Sequence, residues 1–94
     1  MLIRVRFFGE LKEYVKKSWM TIDVPQGSSL HNFIVKLAKN GDSELLEKLM
    51  ENGKKVHSKI KILVNGRNIK HLGGLDTEIK DRDLISILPI AGGG

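Results

Sequence analysis

Apolar and polar residues alternate from Leu2 to Phe8, with Ile3, Val5 and Phe7 on one side and Arg4 and Arg6 on the other beside Leu2 and Phe8. This is the period-two signature of a strand with one face in a core. Gly9 interrupts it, and Leu11, Tyr14 and Val15 then fall at helical spacing within Glu10 to Lys17, enough for one or two turns. Alternation resumes from Trp19 to Val24, where Met20, Ile22 and Val24 oppose Thr21 and Asp23. The short connection makes these two strands antiparallel neighbours.

Pro25-Gln26-Gly27 reads as a turn, and Ser28 or Ser29 suits the N-cap of a helix beginning at Leu30. Leu30, Phe33, Ile34, Leu37 and Ala38 form the stripe of that helix, with one buried side. Asn40-Gly41 supplies a left-handed stop. A second helical stretch runs from Ser43 to Met50 and ends at Asn52-Gly53 and a basic loop. Ile60 to Val64 is a strand with Ile60, Ile62 and Val64 inward and Lys61 and Leu63 outward. Asn65-Gly66 is the strongest hairpin signal of the chain, because both residues tolerate the positive φ of a type I′ turn. Arg67 to Ile69 is its short return strand. Leu72-Gly73-Gly74-Leu75 is a Gly-rich loop, and Asp81-Arg82-Asp83 is a polar turn before the last strand, Leu84 to Leu88. The expected class is α+β, with one main helix laid on one face of a mixed sheet of four to five strands. With the last strand central and parallel to the first, the layout is a β-grasp.

Beyond residue 88 the chain runs through Pro89-Ile90-Ala91 into Gly92-Gly93-Gly94. The expected division is a folded domain over 1–88 and a flexible tail over 89–94. Glycine has the smallest cross-section of any residue, so such a tail can thread a channel that excludes every Cβ, and what it delivers is the α-carboxylate of Gly94.

Composition narrows the function. Ninety-four residues make one domain, 40% hydrophobic and 29% charged, which is globular. The absence of cysteine removes thiolate chemistry from the chain itself and is in keeping with a cytoplasmic home. No apolar run reaches membrane-spanning length. The net charge of +5 comes largely from lysines scattered over helices and loops, without the interleaved aromatics that base stacking needs, so neither nucleic acid nor membrane is an expected partner.

No constellation of side chains looks like an active site. His31, His57 and His71 lack ligand partners at metal-binding spacing and read as solvated. Gly73-Gly74 lacks the Lys-Ser/Thr of a phosphate loop, and capping accounts for Ser28 and Ser29. Strand parity is more informative. Phe8, Leu63 and Leu88 all fall on the solvent side of their strands, amid Arg4, Arg6 and Lys61. Three apolar residues on adjacent strands would form a docking surface. Pro89 and Ile90, which lead into the tail, are counted with them.

With these features in place, the chain resembles the ubiquitin-like sulfur carriers, the group of the molybdopterin synthase small subunit (MoaD) and its thiamine counterpart (ThiS). Val5-Arg6-Phe7-Phe8-Gly9 is similar to the family's opening strand and Val64-Asn65-Gly66 to its hairpin. Asp83 stands eleven residues (94 minus 83) before the end, as in the family's usual spacing. That register puts Gly94 on the reactive terminal glycine and Gly93 on its neighbour, with Gly92 where the family more often has Ala, Ser or Thr. A register shifted by one would make Gly93 the acceptor.

The resemblance implies a carrier without catalytic residues of its own and without a bound cofactor. An E1-like adenylyltransferase, using ATP and Mg, would activate the Gly94 carboxylate. A sulfur donor protein would convert the adenylate to a thiocarboxylate, and a molybdopterin synthase large subunit-like protein would receive the sulfur. Two other readings stay open: a ubiquitin-like modifier joined to lysines through Gly94, or the thiamine pathway. An interaction domain with an inert tail is a third.

Overall fold

The computed structural model describes residues 1–40 and 44–90. Strand β1 (Leu2–Phe7) leads through a 3-10 turn at Gly9–Leu11 and the short α1 (Lys12–Val15) into β2 (Trp19–Asp23). Helix α2 (Leu30–Lys39) and the short α3 (Leu45–Leu49) come next, then a small hairpin of β3 (Met50–Glu51) and β4 (Lys55–Val56). The chain closes with β5 (Ile60–Val64), β6 (Arg67–Asn68), 3-10 turns at Ile69–His71 and Gly74–Asp76, and β7 (Leu84–Pro89).

The main sheet has the order β2-β1-β7-β5-β6. β7 lies in its centre, parallel to β1 with Val5 opposite Ile85 and Phe7 opposite Ile87, and antiparallel to β5 with Ile62 opposite Ile87. A parallel pair needs a crossover, and the segment carrying α2 provides it. The expected β-grasp arrangement is the one observed.

Alternation decides which face is covered. Ile3, Val5, Phe7, Ile22, Ile62, Val64, Ile85 and Ile87 are buried beneath Leu30, Phe33, Ile34 and Leu37 of α2. Burying each such side chain fully is worth about 1.5–3 kcal/mol relative to exposure, so this layer is the main support of the fold. Ser29 caps α2 by accepting a hydrogen bond from the Asn32 N–H at 3.2 Å, and Ser28 is buried with its hydroxyl donating to the Pro25 carbonyl at 2.6 Å.

Asn40 closes α2 in the right-handed region (φ −93°), with its N–H on the Leu37 carbonyl, and Gly41, the residue expected to make the left-handed stop, lies outside the described residues. Other local features differ from the sequence reading. The second helix is shorter than Ser43 to Met50, because Met50 leaves it in extended conformation to begin β3. β7 continues through Pro89, and the Ile90 N–H donates to the Lys59 carbonyl at 2.8 Å, so the sheet ladder extends two residues past Leu88.

Candidate docking face and tail root

The helices cover one side of the sheet, and the other side is open. On it stand Arg4 and Arg6 of β1 with Phe8 just past its end, Leu84, Ser86 and Leu88 of β7, and Lys61 and Leu63 of β5. The pairing places the three apolar candidates together. Phe7 is opposite Ile87 and the Phe8 N–H donates to the Ile87 carbonyl at 3.2 Å, which brings Phe8 beside Leu88. Leu88 is opposite Lys61, and Leu63, opposite Ser86, is its diagonal neighbour. Diagonal neighbours on one sheet face lie about 7–8 Å apart, within reach of long side chains. Phe8, Leu88 and Leu63 thus form a run across three adjacent strands, each half-buried.

The same face carries a feature that the sequence reading missed. Arg6 pairs with Trp19 across the β1–β2 ladder, and its guanidinium carbon lies 4.7 Å from the Phe8 ring centre and 5.0 Å from the Trp19 ring. Parity alone puts Trp19 on this face with Thr21. Only the β1–β2 register shows that it meets Arg6.

At the end of β7, Pro89 is opposite Ile60 and lies against Gly9. Both Pro89 and Ile90 are half-buried on the wall of a cleft of about 350 Å³ whose other side includes Tyr14, Lys48, His57 and Lys59. The Lys48 ammonium sits over the Tyr14 ring at 5.7 Å, and His57 Nδ1 accepts the Lys59 N–H at 3.1 Å. The cleft thus brings the lysines Lys48 and Lys59 and the carboxylate Glu10 together with the apolar Leu11, Ile60, Pro89 and Ile90. Gly93 and Gly94 lie outside the described residues.

Of the histidines, His71 is exposed, whereas His31 and His57 are half-buried instead of fully solvated. Among the described residues no group of His, Asp or Glu side chains gathers as a metal site requires, and no helix is long and apolar enough to cross a membrane.

Comparison with known proteins agrees with the β-grasp fold. The profile of the ThiS family matches residues 5–94. A small archaeal modifier protein 3 of Haloferax volcanii is 30% identical over 94 residues, spanning the whole of both chains. A putative sulfur carrier protein of Archaeoglobus fulgidus is 35% identical over 63 residues, which is 67% of this chain and 72% of the relative. Among solved structures, the Haloferax volcanii HVO 2177 protein superposes with a TM-score of 0.85 at 29% identity, covering 100% of this chain and 87% of that one. Urm1 from Trypanosoma brucei does so with a TM-score of 0.83 at 27% identity, covering 99% and 95%.

Proposed function

Because the chain belongs to the ThiS family of ubiquitin-like carriers and modifiers, we propose that its Gly94 carboxylate is activated by an E1-like adenylating enzyme and converted to a thiocarboxylate. A terminal carboxylate has an ordinary pKa of about 3.5 and is ionised at neutral pH, so it is a poor electrophile until activated. In the adenylating enzyme, which supplies the Mg, its oxygen attacks the α-phosphorus of ATP and pyrophosphate leaves. The terminal sulfur of a donor protein's persulfide then attacks the acyl carbon and AMP leaves. A thiol cleaves the resulting acyl disulfide to release the thiocarboxylate. ATP as the partner's substrate supports a cytoplasmic setting for this chemistry.

The observation that carries the reading is the continuity of β7. The strand that contributes Leu88 to the open apolar face runs through Pro89, and the next residue, Ile90, is still held by its N–H on the Lys59 carbonyl at 2.8 Å. A partner gripping that face with Phe8, Leu63 and Leu88 therefore holds the start of the tail at a fixed place. Four residues (94 minus 90) then reach about 14 Å when extended. That is enough to present Gly94 in an active site behind a narrow entrance, Gly93 being the residue that passes it.

The recipient we assign to the sulfur is a pterin precursor held by a molybdopterin synthase large subunit-like protein. The opening strand and the Asp83-to-Gly94 spacing, which resemble the MoaD and ThiS carriers alike, support the carrier role on which this assignment rests. A second reading is favoured by the full-length match to a small archaeal modifier protein: the same adenylate passes to a target lysine and forms an isopeptide bond. Thiamine assembly remains the third destination.

One experiment separates the chemistries. The chain is incubated with the E1-like enzyme of the same genome, Mg-ATP and a persulfide donor. Intact mass then shows either the replacement of oxygen by sulfur or, on a gel, ladders of conjugates. No mass change and no ladder, with adenylating enzyme active toward another carrier, overturns the proposal.

A further inference from the structure

We infer that Arg6, gripped between the rings of Phe8 and Trp19, is a preformed receptor for a carboxylate side chain of the protein that docks on the open sheet face. The inference rests on the reading above that an activating partner binds this face.

A guanidinium is planar, with its two faces suited to aromatic rings and its edge carrying five N–H donors in a fixed fork. Here the guanidinium carbon lies over both rings, 4.7 Å from the Phe8 centre and 5.0 Å from that of Trp19. Stacking of this kind leaves the N–H edge as the free part. Arg6 is exposed, and its side chain has no hydrogen bond or ion pair among the described residues. Its neighbour Arg4 differs: Nη2 of Arg4 already donates to the Arg82 carbonyl at 3.0 Å.

The partner group can be deduced from charge. The open face bears Arg4, Arg6 and Lys61, while Asp23, among the described residues the one carboxylate on the strands of the five-stranded sheet, lies at the far end of β2 from Trp19, where it accepts from the Met1 ammonium at 3.2 Å. A fork with unmet donors on a cationic face fits a carboxylate, which it can hold through two parallel hydrogen bonds. An unrestrained arginine must lose rotamer freedom to do this. Arg6 is held in advance by the two rings, so less is lost on binding. The adjacent Phe8–Leu88–Leu63 run excludes water when covered, which strengthens the pair further.

The test uses the E1-like enzyme of the same genome as probe and Arg6→Lys and Trp19→Ala as variants. Arg6→Lys keeps the charge but not the fork, and should raise Kd by about tenfold or more, chiefly through koff. Trp19→Ala keeps the fork but frees it, and should weaken binding by about threefold, with both variants melting near wild type. Wild-type affinity in Arg6→Lys, with Leu63→Ala weakened, overturns the receptor. A second measurement needs no partner: rotation about the Arg6 Nε–Cζ bond, followed by NMR, should be slow in the wild type and faster in Trp19→Ala. Equal rates overturn the grip. If the wild type fails to bind the enzyme at all, the activation reading falls, and the NMR comparison still decides the arrangement of Arg6.

Discussion

Gly9 packs against Pro89 so closely that a Cβ on Gly9 would stand 2.9 Å from the proline Cγ, at a backbone φ of +60°. The turn that ends β1 thereby sets the position of the residue from which the tail departs. Gly9→Ala should destabilise on two counts, since the left-handed conformation costs an L-residue about 1–2 kcal/mol and the proline ring cannot swing aside. Gly66→Ala is the control, with φ +85° and nothing within 4 Å of the added carbon. Urea unfolding should show the larger loss for Gly9→Ala. Equal losses would mean that Pro89 shifts freely and that the contact does not position the tail.

The apolar run gives a second prediction. Truncating a central anchor of an interface commonly costs about 2 kcal/mol or more in binding. Leu63→Ala and Phe8→Ala should weaken association with the adenylating enzyme to that extent, with little change in melting temperature, because both stand outside the core layer. The Phe8 variant also removes one wall of the Arg6 stack, so it should not be additive with Arg6→Lys. A large fall in melting temperature with unchanged binding per folded molecule would show that these side chains serve the fold.

Why the main sheet and helix were legible while other features were not comes down to how far apart the determining residues lie. The α2 stripe, the alternation of β1 and β5 and the Ser29 cap are set within a few residues, and the structure has all of them. The β3–β4 hairpin was not seen, although Asn52-Gly53 (φ 54° and 68°) turns as Asn65-Gly66 does (φ 52° and 85°). Its strands are two residues each, too short for alternation to register. The Arg6–Trp19 contact depends on the register between β1 and β2. Asp83 reads in the sequence as part of a turn, yet its Oδ1 accepts from Asn65 Nδ2 at 2.9 Å while Asn65 Oδ1 accepts the Leu84 N–H at 2.9 Å. That clasp ties the β5–β6 turn to the start of β7 across 18 residues, beyond any local pattern.

Acid should weaken the small hairpin first. Glu51 lies below its ordinary carboxylate range because the Lys55 ammonium bonds to it, with Nζ 3.3 Å from Oε2. A carboxyl lowered in the folded state contributes stability above its unfolded pKa and loses it as pH falls through the lowered folded value. The pair is at the surface, so the effect is small and screened by salt. Amide protection in β3 and β4, taken relative to the intrinsic exchange rate at each pH, should therefore fall as pH drops from the ordinary carboxylate pKa through the lowered one, more at low salt, and Glu51→Gln should remove that dependence. An unchanged profile in Glu51→Gln would assign the acid sensitivity to another carboxylate.

The tail itself yields the sharpest distinction, between a narrow passage and a mere tether. If flexibility were the requirement, Ser or Asn would serve nearly as well as glycine, whereas a channel wall against the backbone excludes any Cβ. Gly93→Ala should then cut adenylation sharply, although the terminal carboxylate is unchanged. Gly92→Ala should be nearly silent, since the sulfur carriers more often bear a side chain at that place. Deleting Gly94 should abolish activation and leave melting unchanged. Single-turnover formation of the acyl adenylate at saturating enzyme separates passage of the tail from docking of the domain. Equal, mild effects at Gly92 and Gly93 would leave only a tether. A severe effect at Gly92, with the Gly94 deletion active, would move the register by one residue and make Gly93 the acceptor.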